Sequence, residues 1–323
     1  MRAIVRSGYG LPNVLSLQQV PRPEVGPTHV LVKVSASSVN ALEWHMMTGS
    51  PYLVRLQAGL RSPKRPTIGA DIAGIVEAVG EDVTRFAVGD RVFGETGTGG
   101  YAEYAVARED VLASIPTETT FEQAAATPVA AFTALQGLRD HGRIQRGQHV
   151  LINGASGGVG TFAIQIAKAL GAEVTAVCST RNMGSARTLG ADHVIDYTRE
   201  SYAERGERYD LMLDIVGTGP ISEGKLVLKP GGRYVVVGGP KGKWLGPLPR
   251  LLRAKLAYLS GGKSMAFFVA NPNAADLEFV ADLLETGQIV PLIEATYPLG
   301  EAPDALRQFG HGHAQGKTVI TIP

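Results

Sequence analysis

The chain has 323 residues, 44% hydrophobic and 19% charged, with a formal net charge of +1, enough length for two domains and too little basicity for a nucleic-acid surface. A single cysteine, Cys178, excludes an intramolecular disulfide framework and a four-cysteine zinc site, and it fits a reducing cytoplasm. MRAIVRSGYG at the start has no apolar signal core, and no window approaches the ~18 uninterrupted apolar residues of a membrane span.

The first third reads as short strands separated by glycine and proline. HVLVKVSAS from His29 alternates, and DIAGIVEAVG from Asp71, GDRVFG from Gly89 and YAEYAVA from Tyr101 are further strand candidates. Pro21, Pro23 and Pro27 break the chain between the first two strands. The character changes at Phe121, where FEQAAATPVAAFTALQGL is alanine-rich and helical, interrupted by Pro128. From there strands and helices alternate. Strands are expected at 149–153, 173–177, 193–196, 209–215, 233–237 and 266–270, which together make a doubly wound parallel sheet the natural solution. Beyond Asn271 come a helix at 274–285, a strand, a helix at 301–308, and a last strand, KTVITI from Lys317. With nothing parallel to follow it, that strand is expected to return to the first domain. The reading is therefore α/β: a β-rich domain over 1–123, completed by 271–323, and a dinucleotide-binding domain over 124–270.

The most informative stretch is VLINGASGGVGTFAIQIAKALGAEVTAVCSTRN, from Val150 to Asn182. An apolar strand runs into a glycine-rich turn. Then Val159, Phe162, Ala163, Ile166, Ala167 and Leu170 follow the spacing of one buried helix face. Gly171 ends the helix and a second strand follows. In that context the hexad Ala155-Ser156-Gly157-Gly158-Val159-Gly160 reads as a dinucleotide-binding turn, with alanine where the first glycine is expected. Glycine lets the backbone approach a pyrophosphate, toward which the helix N-terminus points free N–H groups; the alternative is a plain strand-to-helix turn. At the end of the second strand an NAD site usually supplies an acid for the ribose 2′-hydroxyl. Here Cys178-Ser179-Thr180-Arg181-Asn182 contains none. Ser179, Thr180 and Arg181 suit a 2′-phosphate instead, which favours NADPH; the alternative is a solvated loop arginine and an indifferent site.

VKVSASSVNALEWHMMTG, GADIAGIVEAVG, GDRVFG, GGYAEYAVA, AAATPVAAFTALQGL, GASGGVG, LGADHVIDY and KPGGRYVVVGG, in that order and spacing, resemble the medium-chain dehydrogenase/reductase superfamily. The resemblance covers essentially the whole chain and is closest to the zinc-independent quinone oxidoreductase branch. It implies a GroES-like substrate domain, a Rossmann cofactor domain and an active-site cleft at their junction. In zinc-dependent relatives the segment aligned with 38–44 supplies a cysteine, and the one aligned with 69–71 a His-Glu pair. This sequence has no cysteine in the first and Ala70-Asp71 in the second, so no catalytic metal is expected. His311-Gly312-His313 lies in a glycine-bearing loop and offers no convincing replacement. His45 is expected at the cleft wall or partly buried.

By the same resemblance Asn40 lies beside the nicotinamide ribose, and its alternative is a turn-forming asparagine. Thr127 sits near the cofactor carboxamide or is a helix-capping hydroxyl. Tyr52 is a cleft tyrosine able to donate a proton, or an ordinary surface-loop tyrosine. Tyr197 packs near the adenosine 2′-phosphate, and Gly238 and Gly239 let the backbone approach nicotinamide. The segment 241–262 groups Leu248, Leu251, Leu252, Leu256 and Leu259 against Arg250, Arg253 and Lys255. It is read as a cleft wall or a homodimer contact in preference to a membrane-surface helix. Without a metal to polarise a carbonyl, the expected reaction is hydride transfer from NADPH to a quinone or an α,β-unsaturated carbonyl compound. Two alternatives remain: a 2-enoyl thioester reductase of lipid or polyketide synthesis, and a non-catalytic NADPH-binding redox sensor.

Overall fold

The computed structural model describes residues 1–238, 248–258, 262–312 and 314–323. The chain divides into two compact units, Met1–Ala130 with Asn271–Pro323, and Ala131–Ala270. Residues 124–130 thus group with the first unit.

The first unit opens with an antiparallel pair, β1 (Arg2–Arg6) and β2 (Leu15–Gln19). Next come β3 (His29–Ser38), the short helices α1 (Ala41–Thr48) and α2 (Val54–Ala58), and β4 (Asp71–Val79). β5 (Arg91–Glu95), β6 (Tyr104–Arg108) and β7 (Leu112–Ser114) lead to α3 (Phe121–Ala125). A reciprocal cap starts α3: the Gln123 N–H donates to Thr120 Oγ1 at 3.2 Å, and the Thr120 N–H donates to Gln123 Oε1 at 3.0 Å. Pro128 then begins a separate helix, α4 (Pro128–Gln136), because proline is tolerated in a first turn and breaks a helix interior.

The second unit is a six-stranded, all-parallel sheet. Its strands are β8 (His149–Asn153), β9 (Glu173–Cys178), β10 (His193–Asp196), β11 (Tyr209–Asp214), β12 (Leu228–Val236) and β13 (Ser264–Phe267). Their spatial order is β10-β9-β8-β11-β12-β13, so the winding reverses between β8 and β11. Val150, Leu151 and Ile152 on β8 are fully buried, as a central parallel strand requires. The crossover helices are α5 (Gly158–Ala169), α6 (Met183–Thr188), α7 (Ile221–Leu226) and α8 (Leu248–Ala257). On α8 Ala254 is buried, and just beyond its end Tyr258 is buried and stacked on Tyr234 at 5.6 Å, whereas Leu252 and Leu256 are exposed. Leu252 and Leu256 therefore do not pack into their own unit. Residues 239–247 and Leu259 lie outside the described residues, as does His313.

The chain then returns to the first unit through α9 (Ala274–Glu285), β14 (Ile293–Pro298), α10 (Ala302–His311) and β15 (Lys317–Thr321). As expected, β15 lies in the first unit; it has a parallel partner in β14, while its other edge pairs antiparallel with the C-terminal half of β3. The N-terminal half of β3 is paired with β6, so one long strand serves two neighbours on one edge. Val30, Val32, Ile72, Val92, Leu306 and Ile320 belong to the core behind this sheet. Among the described residues no helix is long and apolar enough to cross a membrane.

Candidate functional site

The glycine turn stands where the doubly wound sheet puts its ligands, beyond the C-terminal ends of the strands at the reversal point. Asn153, the last residue of β8, donates through Nδ2 to Asp214 Oδ1 at the end of β11, 2.8 Å away, and holds the two ends together. The tight turn is made by Gly154 at φ +89°, one residue before the hexad read from the sequence. Ala155 is thus no lost glycine: its side chain is fully buried, and only its backbone can serve a ligand. At Gly160 an added Cβ would lie 2.2 Å from the Gly154 carbonyl oxygen, so close packing of α5 on the turn demands glycine. At Gly157 an added Cβ would meet nothing nearer than 3.7 Å. The fold itself does not require glycine there. The first bond inside α5 runs from the Thr161 N–H to the Gly157 carbonyl at 3.0 Å, so helix geometry leaves the amides of Gly158, Val159 and Gly160 without intrahelical partners. With Ser156, these residues form an anion cradle that suits a dinucleotide pyrophosphate.

The end of β9 differs from the sequence reading in one respect. No acid follows Cys178 in the chain, but Asp196 at the end of β10 lies alongside and is buried. Thr180 donates its hydroxyl proton to Asp196 Oδ2, and Thr198 donates to Oδ1 through Oγ1 at 2.7 Å and its N–H at 3.0 Å. Arg199 Nε is 3.4 Å from the same carboxylate. These donors hold the Asp196 carboxyl below the usual range, the Thr180 hydroxyl contributing most. The Thr180 hydroxyl hydrogen is thus engaged by Asp196, while Arg181 is exposed. Tyr197 is also exposed beside them, its N–H donating to the Cys178 carbonyl at 3.1 Å. Burial, then Asp196, pushes the Cys178 thiol up to about 11, which leaves it unreactive at neutral pH. Gly238 has an internal explanation: a Cβ there would sit 2.0 Å from the Ile215 carbonyl oxygen. Gly239 lies outside the described residues.

In the first unit Asn40, alone of the predicted residues, belongs to a buried polar knot that sequence reasoning did not anticipate. Asp71, fully buried at the start of β4, accepts from Ser38 Oγ at 2.6 Å and Asn40 Nδ2 at 2.8 Å on one oxygen. Its other oxygen accepts the Val129 N–H at 3.0 Å. Lys317 Nζ lies 3.5 Å from Asp71 and donates to Asn40 Oδ1, although it is 98% removed from solvent (2% exposed). Asn40 is therefore the bridge between a buried ammonium and a buried carboxylate, with a second Nδ2 hydrogen to spare. Glu43 closes the knot, accepting the Asn40 N–H at 2.7 Å and the Ala70 N–H at 2.8 Å. Burial, reinforced by Asp71, raises its carboxyl to about 7; the same two causes, with Glu43 third, raise Glu95 to about 8.

Thr127 is fully buried two residues before the amide that Asp71 holds, and its hydroxyl donates to the Gln123 carbonyl at 2.7 Å. That is a back-bond onto the preceding helix and not an N-cap. Tyr52 stands apart, 37% exposed, with the Arg55 guanidinium 4.6 Å from its ring centroid. His45 is half-buried, its Nδ1 2.6 Å from the Ser50 carbonyl, which anchors the loop that presents Tyr52. An open groove of about 730 Å³ on this unit is lined by Thr67, Glu95, Thr98 and Tyr104 among others, and by none of Asn40, Tyr52 or Thr127.

The Ala70-Asp71 position suits a catalytic zinc poorly. No side chain that binds Asp71 is a cysteine or histidine, and an ammonium already supplies its counter-charge. The only signals in the sequence were Ser38, Asn40 and Asp71 within recognisable strings; nothing marked Lys317.

Comparison with known proteins shows the family. Residues 26–117 match the alcohol dehydrogenase GroES-like domain, and residues 189–320 match a domain described as zinc-binding dehydrogenase. The chloroplast envelope quinone oxidoreductase homolog of Arabidopsis thaliana is 34% identical over 318 residues, covering 94% of this chain and 92% of the relative. The quinone oxidoreductase of Coxiella burnetii superposes with a TM-score of 0.88 at 30% identity, over 100% of this chain and 99% of that one. The Escherichia coli quinone oxidoreductase, solved in complex with NADPH, gives 0.84 at 25% identity, over 99% and 100%.

Proposed function

The chain belongs to the quinone oxidoreductase-like branch of the medium-chain dehydrogenase/reductase superfamily and is an oxidoreductase, and we propose that it reduces quinones or α,β-unsaturated carbonyl compounds with NADPH and without a metal. When bound, the dinucleotide supplies the hydride. The backbone of Ala155, Ser156, Gly157, Gly158 and Val159 holds its pyrophosphate, and Ser179, Arg181 and Tyr197 select the 2′-phosphate. Replacing Arg181 by alanine is expected to weaken NADPH by ~1–3 kcal/mol, the scale of a charge-assisted hydrogen bond, and to leave NADH nearly unchanged. Equal losses in a titration of both cofactors would refute that selection.

The observation that carries the choice of substrate is the Lys317 ammonium beside Asp71, where a Lewis acid would otherwise act. A saturated carbonyl then lacks polarisation, whereas a quinone or enal spreads the added charge over a conjugated system. Asn40 lies beside the nicotinamide ribose, and Thr127 near the carboxamide. Tyr52 donates a hydrogen bond to the oxyanion, and the proton comes from it or from water. The deciding experiment compares NADPH consumption with an enal, its saturated aldehyde, ortho- and para-quinones and an enoyl thioester, before and after exhaustive chelation. Fast reduction of enal and quinone, indifferent to chelation, is expected. A saturated aldehyde reduced as fast as the enal, or turnover abolished by chelation, would overturn the mechanism. The reading further includes a cytoplasmic location and a homodimer, the latter supported by the exposed Leu252 and Leu256 on α8; light scattering of Leu256→Lys tests it, monomer being the expected result.

A further inference from the structure

The first residues of three neighbouring strands of the second unit are His149 on β8, Glu173 on β9 and His193 on β10. Parallel pairing sets His149 opposite Glu173 and His193 opposite Thr175. Glu173 and Thr175 are two residues apart, so the strand pleat puts all four side chains on one face of the sheet. There, one ligand atom from each of His149, Glu173 and His193 lies within 4.8 Å of the other two. His193 Nε2 is already 2.9 Å from Glu173 Oε1. The half-buried His149 ring is fixed by an edge contact to Tyr209 at 4.6 Å and by Thr175 Oγ1 at 2.8 Å. His193 and Glu173 have side chains 54% and 49% exposed, free to adjust.

We propose that His149, Glu173 and His193 bind one divalent transition-metal ion of the zinc class, with water completing the coordination. Two imidazoles and a carboxylate are a recognised zinc donor set, and imidazole disfavours the hard cations magnesium and calcium. Tetrahedral zinc with ligands at ~2.0–2.1 Å needs donors ~3.3 Å apart. The rigid His149 sets one corner, and rotation of the two exposed side chains closes the rest. Charged neighbours are mixed: Glu207 and Lys229 both act on His149, with opposite sign. The site is remote from the cofactor turn. It occupies the N-terminal rim of strands whose C-terminal ends carry Gly154 and Thr180, four residue steps or ~13 Å along β8. None of its residues belongs to the first unit, which holds Ala70-Asp71. A bound ion would tie three strand ends together, stabilising the second unit without entering the reaction.

The test uses the full chain without an affinity tag, stripped with chelator and dialysed against zinc chloride in excess magnesium. The wild type is expected to bind one zinc per chain saturably and to gain thermal stability from it. His193→Ala and Glu173→Gln are each expected to weaken binding by at least ~10-fold, the lower end of what loss of even an outer-shell partner costs, and to abolish the thermal shift. Glu173→Gln changes an exposed side chain, so its folding is not in question. Absence of saturable zinc binding in the wild type would overturn the proposal, as would variants that bind like the wild type. Loss of binding on His311→Ala instead would assign the ion elsewhere and equally overturn it.

Discussion

The two candidate sites are built by opposite means. The cofactor turn is made of backbone: a left-handed glycine, a crowded glycine and an open one within seven consecutive residues, followed by helix amides. The polar knot of the first unit is made of side chains, gathered from β3, α1, β4 and β15, around a carboxylate and an ammonium that have both left water. A backbone site tolerates a change of side chain wherever space allows. A buried charge pair tolerates almost none, because removing either partner strands the other in a medium that solvates it poorly.

That contrast is most directly broken at Lys317. Lys317→Met leaves Asp71 without its counter-charge and is expected to cost ~3–5 kcal/mol in urea unfolding. Adding Asp71→Asn should restore part of the loss, since the amide no longer needs a cation. A loss below ~1 kcal/mol for Lys317→Met would mean that the knot is hydrated and that the contrast fails.

The turn yields a smaller and divided effect. Gly160→Ala forces a Cβ against the Gly154 carbonyl and should destabilise by ~1–3 kcal/mol, the usual range for overpacking. Gly157→Ala meets no atom nearer than 3.7 Å and should change stability by less than ~0.5 kcal/mol while weakening dinucleotide binding, read by fluorescence titration. If both variants lost stability equally, Gly157 would be a packing glycine and not a ligand-facing one.

The smallest effect is on pH dependence. Glu43 and Glu95 have carboxyls raised to about 7 and about 8 in the folded chain from an ordinary 4.5. Between those values the folded state binds more protons than the unfolded one, so stability is full below about 4.5 and declines as pH rises through 7 to 8. One such group gives a slope of at most ~1.4 kcal/mol per pH unit. Glu95→Gln should flatten the alkaline side of a melting-temperature profile, and an unchanged profile would show that Glu95 is ionised throughout.

How legible each region was follows from the same contrast. Strands 149–153 and 193–196 and the helix 274–285 begin and end in the structure where apolar periodicity and glycine punctuation put them. The glycine turn was legible to within one residue. Its true corner, Gly154, was hidden because a φ of +89° leaves no mark on a string that already contains four glycines. The acid beside Thr180 was missed because Asp196 arrives from the neighbouring strand, 16 residues on. On α8 the spacing of the leucines reveals a face without naming what covers it: Leu252 and Leu256 are exposed, whereas Ala254 is buried. Lys317 could not be foreseen at all, since a lysine at the head of a last strand is usually solvated, and its partner Asn40 is 277 residues away.

That separation has a consequence for biosynthesis. During translation Asp71 and Asn40 leave the ribosome long before their lysine does; at ~5–20 residues per second the interval is on the order of tens of seconds. In that time the parallel sheet between them is synthesised in full and is free to fold, whereas the nascent first unit holds a carboxylate at a place that will later exclude water. The cheapest state for that carboxylate is an open, hydrated one. The amino-terminal portion of the chain is thus the last to be finished, and a ribosome stalled before residue 317 should carry a protease-resistant centre flanked by a still-cleavable beginning.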